Sequence, residues 1–144
     1  MPAVEASPAY YLQCVGTQTF LTISSDGKCT ANTKDNSDAQ KWYFDARAGD
    51  VAIHNKASGT YLSFPSLASG QRMACSEQTA SPKIYQLVAP GEACDQYQCV
   101  IAVQGKADVV LDVSGSDKKS GTAVLLYSKH GGKNQVWAAT LADQ

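Results

Sequence analysis

Ala39-Gln40-Lys41-Trp42, near the end of the first third of the chain, returns as Asn134-Gln135-Val136-Trp137 close to the C-terminus. The two glutamines lie about 95 residues apart, roughly two periods of 47, and a fixed period of that size marks a repeat architecture. A middle copy is expected near residue 87. The best match is Ser81-Pro82-Lys83-Ile84, a few residues early, with Pro at the glutamine place and Ile at the tryptophan place. Further registers keep the same order. A strand-like pair precedes each mark, at Phe20-Leu21, Tyr61-Leu62 and Val110-Leu111. Upstream of each pair lies a short β-type run: Tyr11-Leu12-Gln13-Cys14-Val15, Val51-Ala52-Ile53-His54, and Cys99-Val100-Ile101-Ala102-Val103. Downstream come glycine turns at Gly27, Gly70 and Gly121 and another short run, clearest in Ala123-Val124-Leu125-Leu126-Tyr127.

Each repeat therefore reads as about four short strands joined by Gly, Ser, Asp and Asn turns, with no sustained helical period. Units of this size cannot bury their apolar faces alone, and a closed barrel removes the exposed strand edges that invite aggregation. The expected fold is all-β, a β-trefoil of three imperfect four-strand repeats at about 10–50, 51–96 and 97–144, forming a single domain.

Composition narrows the partners. Asp plus Glu number 13 against 12 Lys plus Arg, so no charge excess draws the chain to phosphate backbones or anionic lipid. Neither nucleic acid nor membrane insertion is expected. Glu5 stands where a secretory signal carries a basic residue and no continuous apolar stretch follows, so the expected compartment is the cytoplasm. Five cysteines (Cys14, Cys29, Cys75, Cys94, Cys99) are an odd number without framework spacing, and reduced thiols are expected. Cys94 and Cys99 are close enough in sequence to bridge a local turn, or to serve as small apolar residues beside a hairpin.

With its registers placed, the third repeat resembles the ricin-B (R-type) carbohydrate-binding family, its fungal cytosolic members in particular. The segments that carry the likeness are Val110-Leu111-Asp112-Val113-Ser114-Gly115 and Gly121 through Trp137. Secreted members place a cysteine before the Leu-Asp pair and another two residues after the aromatic; here those places hold Val110 and Lys129. The resemblance implies that Trp42, Gln40, Trp137 and Gln135 are chiefly architectural. It also implies a carbohydrate site of Asp112, Tyr127, His130, Asn134 and Gln135. The chemistry suits a sugar: a carboxylate accepts from two hydroxyls at once, an aromatic ring covers the C–H face, and an amide both donates and accepts. Asp112 has a second reading, as a cap on the Ser114-Gly115 turn, Tyr127 another, as a half-buried strand aromatic, and His130 a third, as a solvated turn residue.

The other repeats do not keep the set. Thr22, Asn32 and Ala39 hold the carboxylate, aromatic and amide places in the first, and Ser63, Ser76 and Ser81 in the second. At most one site of the family type is expected, with glycans or glycoproteins as partners and a homodimer as one source of avidity. No cofactor is implied. An enzyme finds no support, since no nucleophile elbow, zinc motif or phosphate loop occurs and only His54 and His130 are available as imidazoles. The rival reading is a trefoil inhibitor of cysteine or aspartic proteases acting through exposed loops. The candidates are Ser24-Ser25-Asp26-Gly27-Lys28, Pro65-Ser66-Leu67-Ala68-Ser69-Gly70 and Ala89-Pro90-Gly91-Glu92-Ala93.

Overall fold

The computed structural model describes residues 8–76, 82–88 and 98–142. Its strands fall four to a repeat. The first holds β1 (Tyr10–Cys14), β2 (Phe20–Ile23), β3 (Cys29–Asn32) and β4 (Trp42–Arg47). The second holds β5 (Asp50–Asn55), β6 (Tyr61–Ser63), β7 (Ala74–Ser76) and β8 (Tyr85–Val88), and the third β9 (Gln98–Val103), β10 (Lys106–Val113), β11 (Thr122–Ser128) and β12 (Trp137–Leu141).

The first and last strand of each repeat pair antiparallel in the order β1, β4, β5, β8, β9, β12 and back to β1, which closes a barrel. Closure satisfies both edges of every barrel strand. The middle strands form the hairpins β2–β3, β6–β7 and β10–β11. These join into a cap through β11–β3 and through isolated bridges at Lys28–Ala74 and Arg72–Leu125. Strand alternation explains the interior: Leu21, Leu62, Leu111, Val113, Val124 and Leu126 point to one core with Leu12, Ile53 and Ile101, while their alternate neighbours point away from it. The architecture is a β-trefoil.

Three fully buried aromatics seat the barrel against the cap in the same way. Trp42 Nε1 donates to Leu21 O at 3.0 Å, Tyr85 Oη to Leu62 O at 3.0 Å, and Trp137 Nε1 to Leu111 O at 3.3 Å. Their first-strand partners are Tyr10, Val51 and Cys99. The middle copy of the Gln-x-Trp mark is thus Lys83-Ile84-Tyr85, one residue later than the alignment that put Ile84 at the tryptophan place. The physical reason is that a phenol is flat, large and carries a donor at its tip, so it meets the demand that an indole meets elsewhere. Ile84 is only partly buried. The correction moves the amide place from Ser81, which lies outside the described residues, to Pro82.

The repeats differ in the connection from first to second strand. It spans residues 15–19 in the first and 56–60 in the second, but only 104–105 in the third. Cys14, Cys29, Cys75 and Cys99 are free thiols, and Cys94 lies outside the described residues. Hydrogen bonding to the Cys75 thiol, and then burial, pushes the Cys29 thiol well up. Burial pushes that of Cys99 up to about 11. Both therefore stay protonated at neutral pH.

Candidate functional site

β10 and β11 build the site as a hairpin with two unlike faces. Val110 pairs with Tyr127, and Asp112 with Leu125. Because paired residues on an antiparallel ladder point to the same side, the faces that send Leu111 and Leu126 into the core leave Asp112 and Tyr127 together on the other side. Asp112 is 3% exposed and Tyr127 43%.

The turn before β12, Lys133–Gln135, delivers two amides to that carboxylate. Asn134 Nδ2 donates to Asp112 Oδ1 at 3.1 Å and to Val113 O at 3.1 Å. Gln135 Nε2 donates to Asp112 Oδ2 at 2.8 Å and to Ser128 O at 2.9 Å, while Gln135 Oε1 accepts from His130 N at 3.0 Å. Gln135 is fully buried and so holds the carboxylate and the loop from within. Asp112 is bound to these amides and does not cap the Ser114-Gly115 turn. His130 Nδ1 accepts from Gly132 N at 3.0 Å, which places the neutral ring's proton on Nε2, 3.6 Å from Asp112 Oδ2. The imidazole also meets the Tyr127 ring edge-on, with centroids 6.2 Å apart. Burial raises the Asp112 carboxyl above its ordinary value, against the opposing pull of Gln135, His130 and Asn134.

Backbone proximity fixes the turn. A Cβ at Gly16, in the β1–β2 connection, would lie 2.8 Å from Asn134 N, so only glycine lets that connection back the turn so closely. A Cβ at Gly132 would meet His130 Cε1 at 2.6 Å and Asn134 Oδ1 at 2.8 Å. No sequence motif marks these two glycines.

The first repeat keeps the clamp but not the charge. Gln40 Nε2 donates to Thr22 Oγ1 at 3.1 Å and to Thr33 O at 3.0 Å, and its Oε1 accepts from Asp35 N. Asn32 faces Phe20 on the ladder, at the place of Tyr127, and its buried Oδ1 has no hydrogen-bond partner among the described residues. In the second repeat Ser76 takes that ladder place, opposite Tyr61. Lys83 replaces the glutamine and lies over the Phe64 ring at 5.0 Å. A cleft of about 360 Å³ lies beside it, lined by residues including Phe64, Leu67, Pro82 and Gln104. This cleft is separate from the Asp112 set.

Ser24–Lys28, the candidate inhibitory loop, is a self-tied hairpin turn. Asp26 Oδ1 accepts from Ser24 Oγ and from Lys28 N, and Ser24 N donates to Lys28 O at 2.9 Å. Its base is pinned to β7 by Cys75 N donating to Gly27 O at 2.8 Å. The Pro65–Gly70 loop exposes Leu67, and Ala89–Ala93 lies outside the described residues. Among the described residues no three His, Cys, Asp or Glu side chains converge to hold a metal ion.

Residues 3–75 match the ricin-type beta-trefoil lectin domain-like family. No curated protein matches the sequence. Among solved structures, the Rhizoctonia solani agglutinin superposes with a TM-score of 0.82 at 22% identity, covering 99% of this chain and 100% of that one. The Macrolepiota procera ricin B-like lectin, solved with lactose, gives 0.84 at 22% identity over 97% of this chain and 99% of its own. An exo-β-1,3-galactanase from Clostridium thermocellum gives 0.82 at 19% identity, with 98% of this chain matching only 31% of the enzyme. At these identities the likeness concerns the fold, which by itself does not choose between binding and hydrolysis.

Proposed function

Since the chain belongs to the ricin-type β-trefoil lectin domain-like family, we propose that it is a carbohydrate-binding protein, not an enzyme, whose sugar site is Asp112, Tyr127, His130 and Asn134 in the third repeat. The observation that carries this reading is the contrast between repeats. The same glutamine clamp closes on Thr22 in the first and on Asp112 in the third. The fold is therefore satisfied by a hydroxyl, and burying a carboxylate there costs more than burying a hydroxyl. A charge retained at that cost is best explained by what it binds.

In this reading Asp112 accepts from two neighbouring hydroxyls of the sugar, while Asn134 and Gln135 hold it in place. Tyr127 stacks on the C–H face, and the His130 Nε2–H donates to a ring substituent. Such a shallow site holds a monosaccharide at a millimolar-scale dissociation constant, about 4 kcal/mol. A homodimer would link two of them and gain on the order of 10²-fold on a glycoprotein surface. Lactose, seen with the Macrolepiota procera lectin, is the first probe. On a glycan array, wild type should bind a defined set of glycans and Asp112→Asn should lose them at least tenfold. Equal binding by the two proteins, or binding by neither, would refute the assignment.

A further inference from the structure

We propose a second sugar site on the barrel wall, formed by Tyr43, Asp45, His54 and Tyr61, and it rests on the carbohydrate-binding reading above. Tyr43 and Asp45 alternate along β4, His54 lies opposite Tyr43 on β5, and Tyr61 lies opposite His54 on β6. Trp42 and Ile53 turn into the core from the same strands, so the four residues share the outward face.

Their geometry forms one connected group. Asp45 Oδ2 receives His54 Nδ1 at 3.0 Å and Tyr61 Oη at 2.9 Å. A carboxylate only accepts, so His54 Nδ1 carries the proton and Nε2 is left as an acceptor in the neutral ring. Asp45 Oδ1 takes no hydrogen bond from any described residue. The Tyr43 ring stacks on His54 with centroids 4.8 Å apart, and the Tyr61 ring meets the same imidazole at a tilt, with centroids 5.3 Å apart. Asp45 and His54 side chains are 22% and 26% exposed, open enough to meet a ligand and shielded enough for hydrogen bonds to hold.

The fold does not ask for this set. The ladder registers that place Tyr43, Asp45, His54 and Tyr61 place Gln86, Val88, Ala102 and Val110 on the next face of the barrel. They place Ala138, Thr140, Gln13 and Phe20 on the third. One face of three thus carries a carboxylate, an imidazole and two phenols where its siblings carry aliphatic or uncharged groups.

The chemistry selects a neutral polyol. Burial and Asp45 push the Tyr61 hydroxyl up while Arg47 pulls it back, so a cation stands near the group as well as its carboxylate. What remains on offer is a free carboxylate oxygen for one or two hydroxyls, a ring nitrogen for a third, and aromatic surface for a C–H face. These are the demands of a pyranose, met without any residue of the third-repeat site. Two unlike sites on one chain would let a monomer grip a branched glycan at two points.

The chain has only two histidines, one in each site, so imidazole resonances report the sites separately. The experiment is NMR of histidine-labelled protein titrated with lactose, galactose and mannose, with His54→Gln and His130→Gln supplying the assignments. Both signals are expected to shift on titration with one or more of these sugars. Asp45→Asn should weaken the His54 response at least tenfold and leave that of His130 unchanged, and Asp112→Asn should do the reverse. A His130 shift with a silent His54 overturns the barrel-wall site and leaves the third-repeat reading intact. A His54 shift with a silent His130 upholds the barrel-wall site and removes the other. If neither signal moves, both assignments fall.

Discussion

Tyr85→Ala removes the aromatic that stands in the second repeat where Trp42 and Trp137 stand in the others. Tyr85 is fully buried and its hydroxyl is the donor for Leu62 O. Deleting a large buried aromatic costs about 3–5 kcal/mol, and the orphaned carbonyl raises the figure toward the top of that range. Tyr85→Phe keeps the ring and loses only the donor, for about 1–3 kcal/mol. Ile84→Ala, at the place that the repeat read from sequence gives to tryptophan, trims a partly exposed chain and should cost about 1 kcal/mol. The assay is equilibrium urea unfolding, where a single cooperative transition is expected because strands of all three repeats share one barrel. With a urea slope of about 1–3 kcal/mol per molar, a 4 kcal/mol loss lowers the midpoint by roughly 1.3–4 M. A Tyr85→Ala loss below about 1 kcal/mol, or an Ile84→Ala loss larger than the Tyr85→Ala loss, would refute the threefold equivalence of the buried aromatics.

Gly132→Ala should change stability by less than about 1 kcal/mol, because the new methyl meets only side-chain tips and the backbone φ of −74° suits alanine. By displacing His130 and Asn134 it should nevertheless weaken glycan binding about tenfold or more, as calorimetry would show. Binding should also weaken as pH falls through the Asp112 titration, which burial sets above its ordinary 3.8. Stability moves the other way across that window: a carboxyl raised in the folded state contributes most below its unfolded pKa, and the contribution is lost as pH rises through the folded one. Asp112→Asn should flatten that part of the unfolding-versus-pH curve, and an unchanged curve would contradict the burial argument. In denaturant without reductant, alkylation and mass spectrometry should label Cys14, Cys29, Cys75 and Cys99, whereas the buried Cys14 and Cys29 should react slowly in native buffer. A disulfide between any two of the four would contradict the structure.

The fold was legible because a trefoil repeats its demands. Phe20-Leu21, Tyr61-Leu62 and Val110-Leu111 lie in β2, β6 and β10, and the upstream runs, Val15 apart, lie in β1, β5 and β9. Even the ladder places of Asn32 and Ser76 follow from counting. Tyr85 carries no tryptophan signature, because the barrel selects a large aromatic with a donor that reaches a leucine carbonyl and not one residue type. The resemblance names Asp112, Tyr127, His130 and Asn134 together and gives Gln135 its architectural place, but the tight fit of Gly16 against Asn134 depends on a contact between segments far apart in sequence. The Asp45, His54 and Tyr61 cluster had no linear signal, since its members come from three strands and meet only through the ladder registers.

A crystal structure of the protein with the best-bound array glycan tests the central claim most directly. The account predicts a sugar with two hydroxyls within hydrogen-bond distance of Asp112 and Asn134 and its C–H face on Tyr127. A glycan bound only elsewhere, in the cleft beside Phe64 and Lys83 or on the Ser24–Lys28 turn, with the Asp112 carboxylate untouched, would contradict it.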